Sequence, residues 1–344
     1  MLSEKIISWY QKNKRILPWR KTKDPYFIWL SEIIMQQTRV DQGLPYYNNF
    51  VNSFPSVFDL ADADESEVLR TWQGLGYYSR ARNLHKTAKQ ITKELNGVFP
   101  KSAAELLKLK GVGPYTSAAI SSICYNEAKA VVDGNVYRVL SRLYEIGTPI
   151  NSSAGIKTFA NLAQSLITSS NPGDYNQGIM EIGATICTPK KPNCPECPIS
   201  YACKSFESKT QLSYPVKLKK TKVKDRHFNY LVLKSEGKLF LKKRVDKGIW
   251  IGLYEFFLME SLGSLDNMDD LKKGFPEWLT KPVINPSPIY AKQILSHQRI
   301  HAKFWTIELN KIPPKVSTSF YDMGQIDSLP KHRLIEKYLL ESLN

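Results

Sequence analysis

The pattern of apolar positions changes in the second half of the chain. Up to Phe206, apolar side chains recur every three or four positions between Gly, Pro and capping residues, which is typical of helices. One such helix carries an apolar face formed by Leu84, Ala88, Ile91 and Leu95. From His227, the segments HFNYLVL and KLFLKKR predict two strands across the turn KSEG. The sequence therefore predicts a mainly α-helical unit followed by a smaller α+β unit.

The composition favours a partner that carries many negative charges. The chain has 344 residues and a formal net charge of +16, with 48 Lys and Arg against 32 Asp and Glu. Lys and Arg displace the counterions of phosphates, so nucleic acid suits this charge, although a solubility device or an acidic membrane surface would give the same balance. The sequence has neither a signal-peptide pattern nor a membrane-length apolar run, which predicts an intracellular protein without membrane attachment, cytoplasmic if bacterial.

Four of the five cysteines lie within seventeen residues, in the pattern C-x6-C-x2-C-x5-C. The pattern consists of Cys187, Cys194, Cys197 and Cys203. Four thiolates suit a [4Fe-4S] cluster or a zinc ion, and reduced thiolates indicate a reducing compartment. Structural zinc usually uses paired C-x2-C knuckles, whereas only one close pair occurs here. The spacing therefore favours an iron-sulfur cluster over zinc.

Two carboxyl groups are candidates for acid-assisted chemistry. Glu32 stands in the apolar helical stretch FIWLSEIIMQQT, where burial would raise its pKa and make it a general acid near neutral pH. Asp133 precedes the apolar helical pattern of VVDGNVYRVL, where hydrogen bonds from the helix start would lower its pKa and keep it ionised. One raised and one lowered pKa is the pattern expected for glycosidic cleavage. A solvated surface glutamate and an ordinary N-cap are the alternatives.

Two further segments are candidates for contact with DNA. In LLKLKGVGPYTSAAI, Gly111 and Gly113 would let the backbone approach a phosphate before the next helix begins. In WQGLGYYSRARNLHKTA, Leu75 and Tyr77 stand beside arginines, a combination suited to insertion into a base stack. Either segment could instead be an ordinary turn or part of the core.

In order along the chain, LPWR, WLSEIIMQQTRV, GLGYYSRARNLH, KGVGPYT, VVDGNVYRVL and the cysteine loop resemble the helix-hairpin-helix DNA glycosylases. Within that superfamily they are most similar to the MutY-type adenine DNA glycosylases. The resemblance implies a six-helix barrel with the helix-hairpin-helix at residues 21–125 and an iron-sulfur cluster domain formed by 1–20 plus 126–205. A basic linker at 206–226 and a Nudix-like 8-oxoguanine recognition domain at 227–344 would follow.

The same resemblance implies roles for individual residues. Glu32 matches the acid that protonates a flipped adenine, Asp133 the carboxylate that stabilises an oxocarbenium-like sugar, and Tyr115 a hydroxyl-bearing helper. Ser296 and His297, in ILSHQRIHAKFW, match contacts to the oxidised guanine. The other expected substrate contacts are Trp19, Arg20, Met35 and Gln177 around the adenine, with Gln37, Thr38, Leu75 and Tyr77 elsewhere.

The implied reaction is removal of adenine mispaired with 8-oxoguanine or guanine in double-stranded DNA, by a monomer without lyase chemistry. The close alternative is an endonuclease III-like glycosylase and lyase, which carries a Schiff-base Lys where this chain has Tyr115. A basic, cluster-stabilised DNA-binding or scaffold protein is the non-enzymatic alternative. No R-E-x2-E-E run of metal-binding carboxylates follows GIWIGLYEFFLME, so nucleotide hydrolysis is not expected of the Nudix-like part.

Overall fold

A computed structural model describes residues 1–218, 223–279 and 282–342 of the chain. These residues form two compact units, one from Met1–Asp62 with Asn83–Lys219 and the other from Ala63–Arg82 with Lys220–Asn344. The first unit is helical, and the second combines a mixed β-sheet with short helices. The predicted fold class is therefore confirmed.

The part of the chain up to Ser213 consists of helices and connecting loops. Its α-helices are α1 (Leu2–Asn13), α2 (Pro25–Met35), α3 (Val40–Ser53), α4 (Val57–Asp62), α5 (Glu65–Thr71), α6 (Ser79–Leu95), α7 (Ala103–Leu106), α8 (Pro114–Tyr125), α9 (Gly134–Tyr144), α10 (Ser153–Leu166), α11 (Pro172–Thr185) and α12 (Lys204–Glu207). Short 3-10 helices span Pro18–Lys21, Cys194–Glu196, Ser200–Ala202 and Gln211–Ser213.

Local sequence explains where the helices that carry the candidate residues begin. Asp24 accepts a hydrogen bond from the backbone N–H of Tyr26, and Pro25 occupies the first position of α2. Gly113 is the N-cap of α8 and is followed by Pro114. In α6 the predicted apolar face is buried at Leu84, Ala88 and Ile91, and the helix ends at Leu95. These caps fix the start of each helix relative to its functional side chains.

The second unit is built on a mixed β-sheet. Its strands are β1 (Lys224–Ser235), β2 (Lys238–Phe240), β5 (Phe257–Ser261), β6 (Val283–Ile284), β7 (Ile289–Ile294), β8 (Gln298–Glu308) and β9 (Phe320–Tyr321), with β3 (Lys242–Lys243) and β4 (Tyr254–Glu255) as a separate pair. The helices are α13 (Met268–Lys272), α14 (Met323–Ser328), α15 (Arg333–Ser342) and the 3-10 helix Pro314–Ser319. Strands β1 and β8 run parallel, and the other described pairs are antiparallel.

The central strands of this sheet are covered on both faces, which explains the continuous apolar run of β1. Leu231 and Leu233 pack with Trp305 and with Leu271 of α13 in one hydrophobic cluster. On the other face the rings of Tyr230 and Phe304 stack 5.1 Å apart. A strand buried on both faces has apolar residues in succession rather than in alternation.

The described boundaries differ from the expected ones in two places. Residues 63–82, expected within the six-helix barrel at 21–125, belong to the compact unit that contains the sheet. The expected linker at 206–226 includes ordered helical turns, and β1 begins at Lys224 because its ladder with β8 extends that far. Residues 219–222 of that linker, and residues 280, 281, 343 and 344 of the expected 227–344 domain, lie outside the described residues. The remaining domain boundaries stay predictions.

Within the described residues, no helix is both long and apolar enough to cross a lipid bilayer.

Candidate active site

One pocket of the helical unit, of about 790 Å³, brings together the three residues predicted for the chemistry. Glu32 comes from the body of α2, Tyr115 from the first turn of α8 and Asp133 from the N-cap of α9. We call it the carboxyl pocket. It is also lined by Met35, Gln36, Gln37, Thr38, Arg39, Gly111, Gly113, Pro114, Thr116, Gly134, Asn135, Arg138 and Lys217. Residues that are up to 185 positions apart in the sequence, Glu32 and Lys217, therefore share one cavity.

Glu32 has the electrostatic character of an acid. The Tyr115 hydroxyl donates a hydrogen bond to its Oε2 at 2.5 Å. The pKa of Glu32 is raised to about 7. Burial is the main cause and the charge of Asp133 adds to it, whereas the Tyr115 hydrogen bond and the Arg20 charge lower the pKa. A carboxyl group with this pKa is partly protonated at neutral pH, so it can donate a proton there.

Asp133 is held rigidly at the start of α9. Its Oδ1 accepts hydrogen bonds from the backbone amides of Asn135 at 2.9 Å and Val136 at 2.7 Å, and its Oδ2 accepts one from the Asn135 side-chain amide at 2.8 Å. The prediction that the pKa of Asp133 is lowered is nevertheless wrong. Burial raises it, because loss of hydration outweighs the three donors and the Arg138 charge. The position of Asp133 before a helical pattern predicts the hydrogen-bond donors around its carboxylate, but it does not predict that the carboxylate is buried.

The expected adenine contacts are distributed over the helical unit. Met35 lines the carboxyl pocket, whereas Trp19, Arg20 and Gln177 are not among its lining residues. Trp19 packs edge-on against Tyr47, with ring centroids 4.9 Å apart. The Gln177 amide is 3.5 Å from the Gly173 carbonyl oxygen on the same helix.

The Arg20 guanidinium is committed to an ion pair. Its Nη2 lies 2.8 Å from Oε2 of the buried Glu181, whose other carboxylate oxygen receives Arg15 Nε at 2.7 Å. These hydrogen bonds lower the pKa of Glu181 to about 2 in spite of its burial. Arg20 therefore acts on Glu32 through its charge rather than through a hydrogen bond.

Two expected substrate contacts, Gln37 and Thr38, and the two expected backbone contacts, Gly111 and Gly113, line the same pocket. Gln37 and Thr38 follow the end of α2, and Gln37 has a positive φ of 56°. Gly111, with φ of 80°, has no room for a side chain, because an added Cβ would lie 2.7 Å from Cβ of Asn83. At Gly113 the position of an added Cβ is open space, so no neighbouring atom crowds that side of the residue.

All four clustered cysteines line a second, largely apolar pocket of the helical unit, here called the thiol pocket. Arg142, which is 2% exposed, holds the loop: its Nη1 donates to the Thr188 carbonyl at 2.8 Å and approaches the Cys187 sulfur at 3.3 Å. Its Nε donates to the Gln211 carbonyl at 2.8 Å. One buried guanidinium thus connects both ends of the cysteine segment.

The four cysteines supply a set of donor atoms rather than a formed metal site. Across residues 1–218, 223–279 and 282–342, no group of three or more His, Cys, Asp or Glu is arranged to hold a metal ion. The four thiols line one apolar pocket, and a [4Fe-4S] cluster takes one thiolate on each of its four irons, so the donor set is of the type that such a cluster requires. All five cysteines of the chain are free of disulfides.

A third pocket, in the second unit, contains the residues expected to inspect the opposite base. We call it the turn pocket, and its volume is about 390 Å³. Tyr77 and the β7–β8 turn residues Ser296 and His297 line it, and the Tyr77 hydroxyl hydrogen-bonds the Ser296 hydroxyl. Tyr77 is 48% exposed, whereas Leu75 is only 6% exposed. Of the two residues expected to enter a base stack, Tyr77 alone has its tip exposed.

The loop beside the turn pocket is held by specific contacts. Trp250 lines the pocket, has a positive φ of 62° and stacks on His332 with ring centroids 3.8 Å apart. The Arg82 guanidinium donates to the Ile251 carbonyl at 2.8 Å. Positive φ is rare for a bulky residue and requires support from its surroundings, which the stack provides.

Several residues at these sites were not recognised from the sequence. Asn135 and Arg138 line the carboxyl pocket, and Arg138 Nε donates to the Cys187 carbonyl at 2.7 Å. Lys217 lines the same pocket from the start of KLKKTKVKDR, a segment whose charge predicts a basic linker that also faces phosphate. Arg142, which holds the cysteine loop, was also not recognised. The sequence contained a signal for it, because it is a charged residue within the otherwise apolar helical pattern after Asp133.

Two family models match separate parts of the chain. Residues 30–162 match the family model described as HhH-GPD superfamily base excision DNA repair protein, and residues 229–341 match the NUDIX domain model. The first match contains Glu32, Tyr115 and Asp133. The second contains Ser296 and His297.

Two relatives illustrate the similarity to adenine DNA glycosylases. The adenine DNA glycosylase of Buchnera aphidicola subsp. Schizaphis graminum is 35% identical over 93% of this chain and 89% of that protein. The human adenine DNA glycosylase is 43% identical over 58% of this chain and 38% of its own length. Among solved structures, a thermostable thymine-DNA glycosylase is 30% identical, with a TM-score of 0.55 over 60% of this chain and 95% of that chain. The chain therefore belongs to the MutY-type adenine DNA glycosylases of the HhH-GPD superfamily, enzymes that hydrolyse N-glycosyl bonds in DNA.

Proposed function

We propose that the chain flips and excises adenine mispaired with 8-oxoguanine, or with guanine, in double-stranded DNA and that it leaves the sugar-phosphate backbone intact. Removal of adenine in base excision repair follows from the family. The identity of the opposite base, the monofunctional chemistry and the residue roles are the proposal. We further propose that it acts as a monomer in the compartment that holds chromosomal DNA.

The observation that carries the proposal is that Glu32 and Asp133 line the same pocket, the carboxyl pocket. With a pKa of about 7, Glu32 is available in its protonated form. Its proton passes to a ring nitrogen of the flipped adenine as the bond to the sugar breaks and the bonding electron pair leaves with the base. Protonation makes adenine a better leaving group, which lowers the barrier.

Asp133 stabilises the sugar while the bond to the base breaks. As the base leaves, the sugar gains positive charge, which a fixed carboxylate stabilises without moving. The three donors on Asp133 favour its ionised form and hold it in place. A water molecule then adds to the sugar carbon, and its released proton restores the acid. Tyr115 orients Glu32 through its hydroxyl.

Recognition of the opposite base belongs, in this proposal, to the turn pocket. Ser296 and His297 are both exposed and offer a hydroxyl and an imidazole to the edge of a base. Tyr77 offers an exposed ring for stacking. Trp19, Arg20, Met35 and Gln177 are proposed around the adenine, with Gln37, Thr38 and Leu75 on the flanking DNA and Gly111 and Gly113 on its backbone.

The monofunctional character rests on the residue at position 115. The lyase branch named above has a Schiff-base lysine there, whereas this chain has a tyrosine whose hydroxyl is bound to Glu32. Lys217 also lines the pocket, so an amine is present. Trapping with borohydride separates the two cases, because a Schiff base becomes a permanent protein-DNA link and hydrolysis leaves none.

The thiol pocket is proposed to hold a [4Fe-4S] cluster through Cys187, Cys194, Cys197 and Cys203. Such a cluster supplies four strong iron-thiolate bonds that fix the loop as structure. We propose a structural cluster domain from residues 1–20 and 126–205, beside the 21–125 barrel. The purified protein should be brown and contain iron; a colourless protein that contains zinc would refute the cluster.

The decisive test of function is a glycosylase assay on matched duplexes. One carries adenine opposite 8-oxoguanine, a second adenine opposite guanine, a third adenine opposite thymine and a fourth thymine glycol. We expect adenine release from the first two and strand breakage only after alkali. Release from the thymine glycol duplex alone would favour the endonuclease III-like reading, and binding without any release would favour the non-enzymatic one.

A further inference from the structure

A cluster of buried polar residues in the second unit lies outside the lining of the carboxyl, thiol and turn pockets. It consists of Arg244, Glu255 and His332, which are 7%, 2% and 1% exposed. Arg244 Nη1 lies 2.8 Å from Glu255 Oε1, and His332 Nε2 lies 3.7 Å from Glu255 Oε2. We call it the Glu255 cluster. Burial of such groups is costly unless they are paired, so the position of this cluster calls for a physical reason.

The imidazole of His332 is anchored by one edge. Besides Glu255, the Tyr230 hydroxyl lies 3.4 Å from His332 Nε2, and the same hydroxyl donates to Glu255 Oε2 at 3.2 Å. Both oxygen atoms therefore lie on the Nε2 side of the ring. The polar edge of the imidazole points into the cluster, and its two faces are left for packing.

One face of this imidazole carries the indole of Trp250. The two ring centroids lie 3.8 Å apart at an interplanar angle of 11°, so the rings are stacked in van der Waals contact. The ring of Phe228 meets the indole edge-on, with centroids 6.1 Å apart and an interplanar angle of 82°. Trp250 is 8% exposed and lines the turn pocket. The stack on His332 thus holds the indole in the wall of that pocket.

The backbone around Trp250 is connected to the same cluster. Trp250 has a φ of 62°, a left-handed conformation that a bulky residue keeps only with support from its surroundings. The Arg244 N–H donates to the Leu253 carbonyl at 2.8 Å, and the Gly252 N–H donates to the Arg244 carbonyl at 2.8 Å. Arg244 therefore holds the loop through its backbone and Glu255 through its guanidinium.

The imidazole stays against the indole because its polar edge is compensated within the core. An imidazole is readily hydrated, and Nδ1 of His332 has no hydrogen-bond partner in the described part of the chain. Glu255 and Tyr230, on the Nε2 side, compensate for part of this loss of hydration. A phenyl ring needs no such partner, so phenylalanine is the substitution that keeps the stack on Trp250 without the polar contacts.

We propose that His332 is a positioning residue for selection of the opposite base and that it acts through Trp250. The inference rests on the recognition role proposed for the turn pocket. His332 keeps the indole at a fixed place in the wall of the pocket that Ser296 and His297 also line. A recognition site discriminates only if the groups around the ligand are held in place, so loss of the stack lowers selectivity.

The first measurement is the ratio of single-turnover adenine release opposite 8-oxoguanine to release opposite guanine. Titration of Glu32 affects both rates alike and cancels in this ratio. His332→Gln removes the ring and should lower the ratio about two- to tenfold, the size of one lost aromatic contact. His332→Phe keeps the stack and should return the ratio to within about twofold of the unmodified enzyme.

Two further variants separate positioning from a general loss of stability. His85 is 2% exposed and belongs to the helical unit, so His85→Gln is the matched control and should leave the ratio within about twofold. In Trp250→Leu the stack is already lost. Addition of His332→Gln to that variant should therefore have no further effect on the ratio, because residues that act through one contact are not additive.

A second measurement reports the position of the indole without catalysis. The full-length protein, whose seven tryptophans are labelled with 5-fluorotryptophan, is followed by fluorine NMR. Trp250→Leu assigns the Trp250 resonance. His332→Gln should shift this resonance and leave the other six in place, whereas a general loss of structure would shift several of them.

The inference is overturned by an unchanged ratio or an unmoved Trp250 resonance in His332→Gln. It is also overturned by an equal fall of the ratio in His332→Phe or His85→Gln, and by additive losses in the double variant. An unmodified enzyme whose ratio is one would contradict the recognition proposed for the turn pocket and this inference with it. A high ratio that His332→Gln leaves unchanged would contradict this inference alone.

Discussion

The side chains proposed for chemistry in the carboxyl pocket are shielded from water, whereas those proposed for recognition in the turn pocket are exposed to it. In the carboxyl pocket, Glu32, Tyr115 and Asp133 belong to helices or their N-caps, and burial shifts the pKa of each of them upward. In the turn pocket, Ser296 and His297 are exposed on a β-turn, and Tyr77 is half exposed. The first pocket removes its ionisable side chains from water, whereas the second exposes its side chains to solvent.

The difference indicates what each task requires. Proton transfer needs a carboxyl group removed from water, because hydration would return its pKa to the ordinary range. Discrimination between two bases needs donors and rings that a base can reach. Substitutions in the carboxyl pocket should therefore change rate by orders of magnitude, and those in the turn pocket should change selectivity by small factors.

The largest effect is expected from Glu32→Gln. The amide keeps the size of the side chain but has no acidic proton, so adenine release should fall by about 10²- to 10⁴-fold. Single-turnover rates on the duplex with adenine opposite 8-oxoguanine measure this. The exposed Glu94→Gln on α6 is the matched control and should retain the full rate. A Glu32→Gln rate within tenfold of the unmodified enzyme would remove Glu32 from the acid role.

Asp133→Asn should produce the next largest loss. Asparagine is also a good N-cap, so α9 should still begin at the same residue while the negative charge disappears. Loss of one electrostatic stabiliser costs roughly 10²- to 10³-fold in rate. The variant should also lower the pKa of Glu32, since the charge of Asp133 raises it. The matched control is Asp62→Asn, at an exposed position, and equal rates for both variants would contradict the role of Asp133.

Tyr115→Phe should shift the pH dependence of the reaction. The acid works in its protonated form, so the rate falls as pH rises through the pKa of Glu32, about 7. The Tyr115 hydrogen bond favours the ionised carboxylate and lowers this pKa. Its removal should move the falling limb to higher pH by roughly one unit.

The same helix provides the control for this shift. The Tyr125 hydroxyl donates to the Phe99 carbonyl at 3.3 Å rather than to Glu32, so Tyr125→Phe should leave the limb where it is. Movement of the limb to lower pH in Tyr115→Phe would mean that the hydroxyl favours the protonated acid instead.

Some properties of the carboxyl pocket can be predicted from the sequence, and others cannot. Asp133 was readable as an N-cap and Glu32 as a carboxyl group among apolar residues, because both signals depend on neighbours within a few positions. The direction in which the pKa of Asp133 shifts could not be predicted from the sequence, since its desolvation depends on residues from other helices. Local hydrogen bonds can be inferred from sequence, but burial is a property of the assembled fold.

Long-range placement explains the other differences. Residues 63–82 are helical in sequence pattern, yet they pack with the sheet through contacts such as Gln73 to Glu336 at 3.0 Å, across 263 positions. Nothing local predicts such a pair. The sequence also predicts Leu75 to be exposed for insertion into a base stack, whereas it is 6% exposed in the structure. Its burial depends on the same kind of long-range packing.

The smallest effect is expected from Ser296→Ala combined with His297→Ala. Both side chains are exposed, so their loss should not destabilise the fold. We expect one neutral hydrogen bond to distinguish 8-oxoguanine from guanine, and such a bond is worth about 0.5–1.5 kcal/mol. The ratio of adenine release opposite 8-oxoguanine to release opposite guanine should fall about two- to tenfold, while the falling limb of the pH profile stays near 7. The exposed Ser287→Ala is the control. An unchanged ratio would deny the turn pocket a role in recognition, and a moved pH limb would show that the two pockets are not independent.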